Sequence, residues 1–120
     1  IVFPKIIQEE LDEGLKNIKK SLLKNLIIVY EPVWAISTNK NTKADNPKNV
    51  FEISVLIRKE LLKMFGKNIA FFVPILYGGS VDEENAADFV KFGKVNGLLV
   101  GSASLNAKKF SEIIKKVSKI

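Results

Sequence analysis

The chain of 120 residues, 47% hydrophobic and 27% charged, has the composition of an ordinary folded protein of one domain, residues 1–120, and a domain of this size buries about two thirds of its unfolded surface without staples. It has no cysteine and no histidine, which excludes disulfides, thiolate and imidazole metal sites and every histidine-based acid, base or triad. The chemistry left rests on carboxylates, lysines, hydroxyls and backbone amides. The net charge of +6, from 19 basic against 13 acidic residues, steers anions toward the chain. Its lysines are spread as in "KNIKKSLLKN" and "EIIKKVSKI", at the spacing of solvated helix faces, and neither a basic stripe nor an aromatic platform for nucleic acid is evident.

Taken in chain order, Ile7, Leu11, Leu15, Ile18 and Leu22 step by 4, 4, 3 and 4 residues and predict a helix near residues 5 to 24, with Pro4 close to its start. "LIIVY" (26–30) is a short apolar run of the kind found in strands covered on both faces. A polar stretch, "STNKNTKADN", leads to Asn46 and Pro47, an N-cap followed by a first-turn proline. Val50, Ile53, Ile57, Leu61 and Met64 then mark a second helix ending by Gly66. "PILYGGS" (74–80) reads as a strand, "ENAADFVKF" as a short helix, "GLLVGSAS" (97–104) as a strand leaving through a Gly-Ser turn, and Phe110, Ile113, Ile114 and Val117 as a last helix.

The predicted fold is therefore α/β, with three parallel strands and four main helices in the order α-β-α-β-α-β-α and right-handed crossovers. In such folds functional residues gather on loops after the C-terminal ends of strands. Here those loops open at Glu31, Gly78 and Gly101, which the topology places on one edge of the sheet. A glutamate at a strand end is most often simply the first solvated residue, but the proline and tryptophan that follow Glu31 give this loop a stiff hinge ahead of a looser "STNK". Gly78, Gly79 and Ser80 make a tight turn whose amides suit an anion; equally, Ser80 and Glu83 have the spacing of a capping box. Gly101, Ser102 and Ser104 repeat the layout, with a short helical turn whose first amides favour negative charge.

Three of these stretches, "YEPVWAI", "LYGGSV" and "GLLVGSASL", each placed after a strand and in this order, resemble the sixth, seventh and eighth strand-loop units of the triosephosphate isomerase family. "FPKIIQEELDEGLKNIKK" is similar to the helix before the family's sixth strand. The resemblance implies a partial TIM barrel, the C-terminal part of the eightfold (β/α) barrel, with no metal or organic cofactor in its chemistry. It also implies that Glu31 is the catalytic base moving a proton between adjacent carbons of dihydroxyacetone phosphate and glyceraldehyde 3-phosphate, in glycolysis and gluconeogenesis. Ser37, Ser80, Gly101 and Ser102 match phosphate-gripping positions. Pro32, Val33, Trp34, Ala35, Ile36 and Thr38 match the lid, and Tyr77 and Ser80 match groups that hold it shut.

The departures are specific. Ser37, Asn39 and Ser102 stand where the family usually has glycine, which implies a stiffer lid and a tighter last turn. Arg58 matches an arginine whose partner is an aspartate; with Asn96 in that place the expected ion pair is lost. The family's first five strands, with its electrophilic histidine, a lysine and the dimer loop, have no counterpart in the sequence, so the chain is expected to be inactive or nearly so by itself.

Two function classes follow: an isomerase part that works only with a complementary N-terminal half, or a non-catalytic self-assembling half-barrel with at most an anion-binding edge. The expected partners are triose phosphate or an inorganic anion, and an even-numbered homo-oligomer or that N-terminal half. Neither nucleic acid nor a membrane is among them. No apolar run approaches the roughly 20 residues of a membrane span and "IVFPK" lacks a signal-peptide layout, so a cytoplasmic location is expected. A start at Ile1 instead of Met suggests a truncated chain, a processed product or one piece of something larger.

Overall fold

The computed structural model describes residues 4–32 and 45–120. Five α-helices, α1 (Pro4–Leu15), α2 (Pro47–Phe65), α3 (Lys67–Phe72), α4 (Ala86–Gly93) and α5 (Ala107–Val117), alternate with strands β1 (Ile28–Tyr30), β2 (Ile75–Gly78) and β3 (Gly97–Leu99). Short 3₁₀ turns cover Lys20–Asn25 and Ser102–Leu105. The strands form one parallel sheet in the order β1-β2-β3, as the alternation predicts.

The register divides the sheet into two faces. Ile28 lies beside Ile75, and Tyr30 beside Tyr77, which lies beside Leu98. This row turns toward the helices, where Ile75 and Tyr77 are buried in a core with Ile53, Ile57 and Leu61 of α2 and Phe89 of α4. Phe89 stacks on Tyr77 with ring centroids 4.3 Å apart. The alternate row is Val29, Leu76 and Gly97, continued by Gly78 beside Leu99. Val29 and Leu99 are exposed, so this second face is bare, with strand period 2 separating the two environments residue by residue.

Helix α2 starts as the sequence predicts: Asn46 Oδ1 accepts a hydrogen bond from the Asn49 amide at 2.9 Å, Pro47 occupies the first turn, and Gly66 closes the helix at φ +88°. The first helix is shorter than its apolar stripe suggests. It stops at Leu15, just past Gly14, and the chain resumes as the 3₁₀ turn of residues 20–25, which buries Leu23 and leaves Ile18 and Leu22 exposed. A mid-helix glycine weakens the continuous helix, and the tighter 3₁₀ winding changes which leucine faces inward. Helix α3 is absent from the sequence expectation. Six residues are too few to show a period, and only Ala70 of "KNIAFF" is buried while Phe71 and Phe72 are exposed.

Arg58 joins α2 to the sheet. Its Nη1 donates to the carbonyls of Ala70, at 2.7 Å, and of Val73. Its Nη2 donates to Asn96 Oδ1 at 2.8 Å, and the same oxygen accepts from the Ile75 amide at 2.8 Å. The Asn96 amide returns a bond to the Ile75 carbonyl at 2.8 Å. The ion pair is lost as the sequence implies, since the formal charge is gone from position 96, but an amide oxygen takes the acceptor place and the joint persists as a charge-assisted hydrogen bond. Burial pulls the guanidinium below its ordinary pKa, because removing water disfavours the charged form.

Candidate functional site

Because β1, β2 and β3 run parallel, Glu31, the Gly78-Gly79-Ser80 turn and the Gly101-Ser102 turn leave the same edge of the sheet. Glu31 follows Val29 by two residues and therefore projects to the bare face. A Cβ built on Gly78 would stand 3.5 Å from Glu31 Oε1 and 3.2 Å from Leu99 Cβ. The tight neighbour is Leu99, so the missing side chain at Gly78 lets β3 pack close, while the Glu31 carboxylate lies at ordinary contact distance from the same place. Glu31 is exposed, while Pro32 after it is buried and fixes the start of the loop. Val33, Trp34, Ala35, Ile36, Ser37, Thr38 and Asn39 lie outside the described residues.

At the second turn Gly79 has φ +159° and Ser80 φ +51°. A serine in the left-handed region costs about 1 kcal/mol or more, so the conformation must be held by its surroundings. Asn85 Nδ2 donates to the Ser80 carbonyl at 2.9 Å. Asp82 Oδ1 accepts from the amides of Glu84, at 2.8 Å, and Asn85, at 2.9 Å, and Asn85 Oδ1 accepts from the Asp82 amide at 2.8 Å. The Asp82–Asn85 pair therefore organises the entry to α4, which begins only at Ala86. The serine-to-glutamate spacing read from the sequence is displaced by this reciprocal Asp-Asn pair, whose side chains are short enough to turn back on their own backbone.

At the third turn the Ser104 amide and hydroxyl both donate to the Gly101 carbonyl, at 2.9 and 2.6 Å, closing one 3₁₀ turn. Gly101 and Ser102 are exposed. Ser102 is not among the described non-glycine residues with positive φ, which are Ser80 and Lys94. Serine thus occupies the family's glycine position in a backbone conformation open to any residue.

Tyr77 ties the site to α2. Fully buried, it donates its hydroxyl to the Gly79 carbonyl at 2.8 Å and accepts from the Asp45 amide at 3.1 Å. Its hydroxyl is pushed up to about 12, chiefly by burial; the Asp45 carboxylate adds to the rise and the Asp45 amide opposes it. Tyr30, its ring centroid 6.2 Å from that of Tyr77, is raised well above its ordinary value, first by burial, then by Asp45 and Tyr77. Asp45 was missed in the sequence reading. Its signal was an acidic residue immediately before a capped helix start, which by itself is only a common turn composition.

A parallel three-stranded α/β sheet with helices on one face and the other face left bare fits a section of a (β/α) barrel. The family model described as triosephosphate isomerase matches residues 3–117. Triosephosphate isomerase of Mycoplasmoides gallisepticum is 42% identical over 110 residues, covering 92% of this chain and 42% of that protein. The enzyme of Malacoplasma penetrans is 38% identical over 110 residues, with 92% and 43% covered. That of Lawsonia intracellularis is 42% identical over 109 residues, with 91% and 42% covered. The chain belongs to the triosephosphate isomerase family, as a partial TIM barrel, and it spans about two fifths of the length of these curated relatives. Among the described residues no helix is long and apolar enough to cross a membrane.

Proposed function

We propose that this chain carries the base-bearing and phosphate-gripping part of a triosephosphate isomerase site. In this reading Glu31 removes a proton from one carbon of dihydroxyacetone phosphate or glyceraldehyde 3-phosphate and returns it to the neighbouring carbon. The amides of Gly79, Ser80, Gly101 and Ser102 hold the phosphate, joined by Ser37 from the loop that begins at Pro32. Val33, Trp34, Ala35, Ile36 and Thr38 belong to the covering lid, with Tyr77 as its fastening. The observation that supports the reading best is the position of Glu31, its Oε1 lying over the Cβ-free Gly78 beside the two small-residue turns.

A titration of the ¹⁵N-labelled chain with inorganic phosphate tests the anion site. The expected shifts fall on the amides of Gly79, Ser80, Gly101 and Ser102, whose bonds to an anion are the stronger for its charge. Shifts confined to the lysine-rich face of α5, at Lys108, Lys109, Lys115 and Lys116, would contradict the assignment.

The bare sheet face favours a second reading for the chain on its own, assembly with further copies of itself. Val29 and Leu99 are 39% and 46% exposed on β1 and β3, Ile27 just before β1 is 57% exposed, and among the described residues the outer edges of β1 and β3 are unpaired. Burying about 800 Å² of such surface per chain would contribute roughly 20 kcal/mol before the losses of association. Two-fold interfaces are the commonest closed form, so an even-numbered homo-oligomer is expected in sedimentation equilibrium at low micromolar concentration. A stable, folded monomer of 13.4 kDa would refute it.

A further inference from the structure

We propose that the end of the sheet opposite Glu31 docks on an anionic lipid surface. Two short elements lead into the strands there and touch one another, the 3₁₀ turn Lys20–Asn25 ahead of β1 and helix α3 ahead of β2. Each buries one residue, Leu23 and Ala70, and leaves its larger apolar side chains outside. Leu22 is 53% exposed, Phe71 70% and Phe72 61%, with Ile18 just before the turn at 42%. Apolar side chains this exposed mark a contact surface where they lie together. They are separate from the bare sheet face, which Val29 and Leu99 form on the strands themselves.

Charge decides what this surface fits. The stretches 14–30 and 61–81, which carry both elements, contain no acidic residue. Lys16 is paired with Glu13 and Lys63 with Glu60, whereas Lys19, Lys20, Lys24 and Lys67 are exposed and form no ion pair among the described residues. A second copy is a poor occupant, because a two-fold contact sets these lysines against their own equivalents. The four apolar side chains also expose only about 400 Å² together, half of the roughly 800 Å² that each partner brings to a standard interface. An anionic bilayer meets both features: phenylalanine and leucine enter the headgroup boundary while the lysines, their stems along the same surface, reach the lipid charges. The length of apolar runs, on which the sequence sets a membrane aside, concerns spanning; a surface contact needs only exposed apolar side chains beside lysines. The surface is independent of the phosphate reading, since the Gly79 and Gly101 turns leave the other end of the strands.

Co-sedimentation of the whole chain with lipid vesicles is the test. Binding to phosphatidylcholine vesicles containing about one third phosphatidylserine should exceed binding to phosphatidylcholine alone by about tenfold or more, since each lysine near such a surface strengthens binding about fivefold, and it should weaken as salt rises. Phe71→Ser with Phe72→Ser, and separately Lys20→Glu with Lys24→Glu, should each lower binding by about tenfold or more. Neither pair should move the urea midpoint, because all four side chains are exposed. Lys108→Glu with Lys109→Glu on α5 makes the same change of net charge elsewhere and should lower binding less than the Lys20 and Lys24 pair. Equal losses from the two lysine pairs, binding that survives the loss of both phenylalanines, or no preference for anionic vesicles would overturn the proposal. So would a chain that binds single-stranded RNA and not vesicles. A lower mass in sedimentation equilibrium for Phe71→Ser with Phe72→Ser would also overturn it, by giving the surface to a second copy.

Discussion

By itself the chain is expected to isomerise glyceraldehyde 3-phosphate at or near the uncatalysed rate. The family's established chemistry couples its glutamate base to a neutral histidine that polarises the carbonyl, and these 120 residues contain no histidine. A positioned base contributes typically 10²- to 10⁴-fold, and a preorganised donor at the developing oxyanion a further 10²- to 10³-fold. The second factor is missing here and the first is diluted, since Glu31 is exposed on a sheet face that does not exclude water, where electrostatic interactions are weakest. A stopped-time assay of the purified chain checks this directly. Turnover that disappears in Glu31→Gln would contradict the expectation and show that another group had taken the electrophile's part.

Arg58→Ala should be the most damaging single substitution for stability away from the apolar core. It removes three hydrogen bonds at once, to the carbonyls of Ala70 and Val73 and to Asn96 Oδ1, and bonds to a charged group contribute about 1.5 to 3 kcal/mol each. Some of those acceptors will find water at this half-buried joint, so the expected loss is about 3 kcal/mol in urea unfolding. Asn96→Asp retains the acceptor for both Arg58 and the Ile75 amide and should leave stability unchanged or raise it. A loss below about 0.5 kcal/mol in Arg58→Ala, the range of ordinary surface changes, would mean that the joint does not bear on the fold.

The alternation of elements, the capped start of α2 and the three strand-end loops were legible because each rests on local chemistry. Asn46-Pro47 can be read as a helix start without knowing what lies around it, and three short apolar runs between amphipathic helices imply a parallel sheet. The extent of α1 was not legible: the stripe continues through Ile18 and Leu22, and only tertiary packing shows that Leu23 is the residue the core admits. At Asn96 the sequence reports the missing charge, and so the lost ion pair, but not the oxygen that still accepts from Arg58. The Tyr30, Asp45 and Tyr77 cluster was invisible for a related reason. Asp45 and Tyr77 are 32 residues apart in sequence, and no spacing rule links a turn aspartate to a strand tyrosine across a parallel crossover. Positive φ at Ser80 likewise could not be read from a residue type that ordinarily avoids it.

The measurement that bears most directly on the proposed site is isomerase activity in a barrel completed around this chain. The part of the Mycoplasmoides gallisepticum enzyme that precedes its matched region, fused ahead of Ile1, would restore the missing strands. The fused protein should turn over glyceraldehyde 3-phosphate far above the chain alone, and Glu31→Gln in the same fusion should lower kcat by about 10³-fold or more with little change in KM, as expected for a group acting in the transition state. A folded fusion that stays at the uncatalysed rate, or one whose activity survives Glu31→Gln, would contradict the assignment of Glu31 as the base.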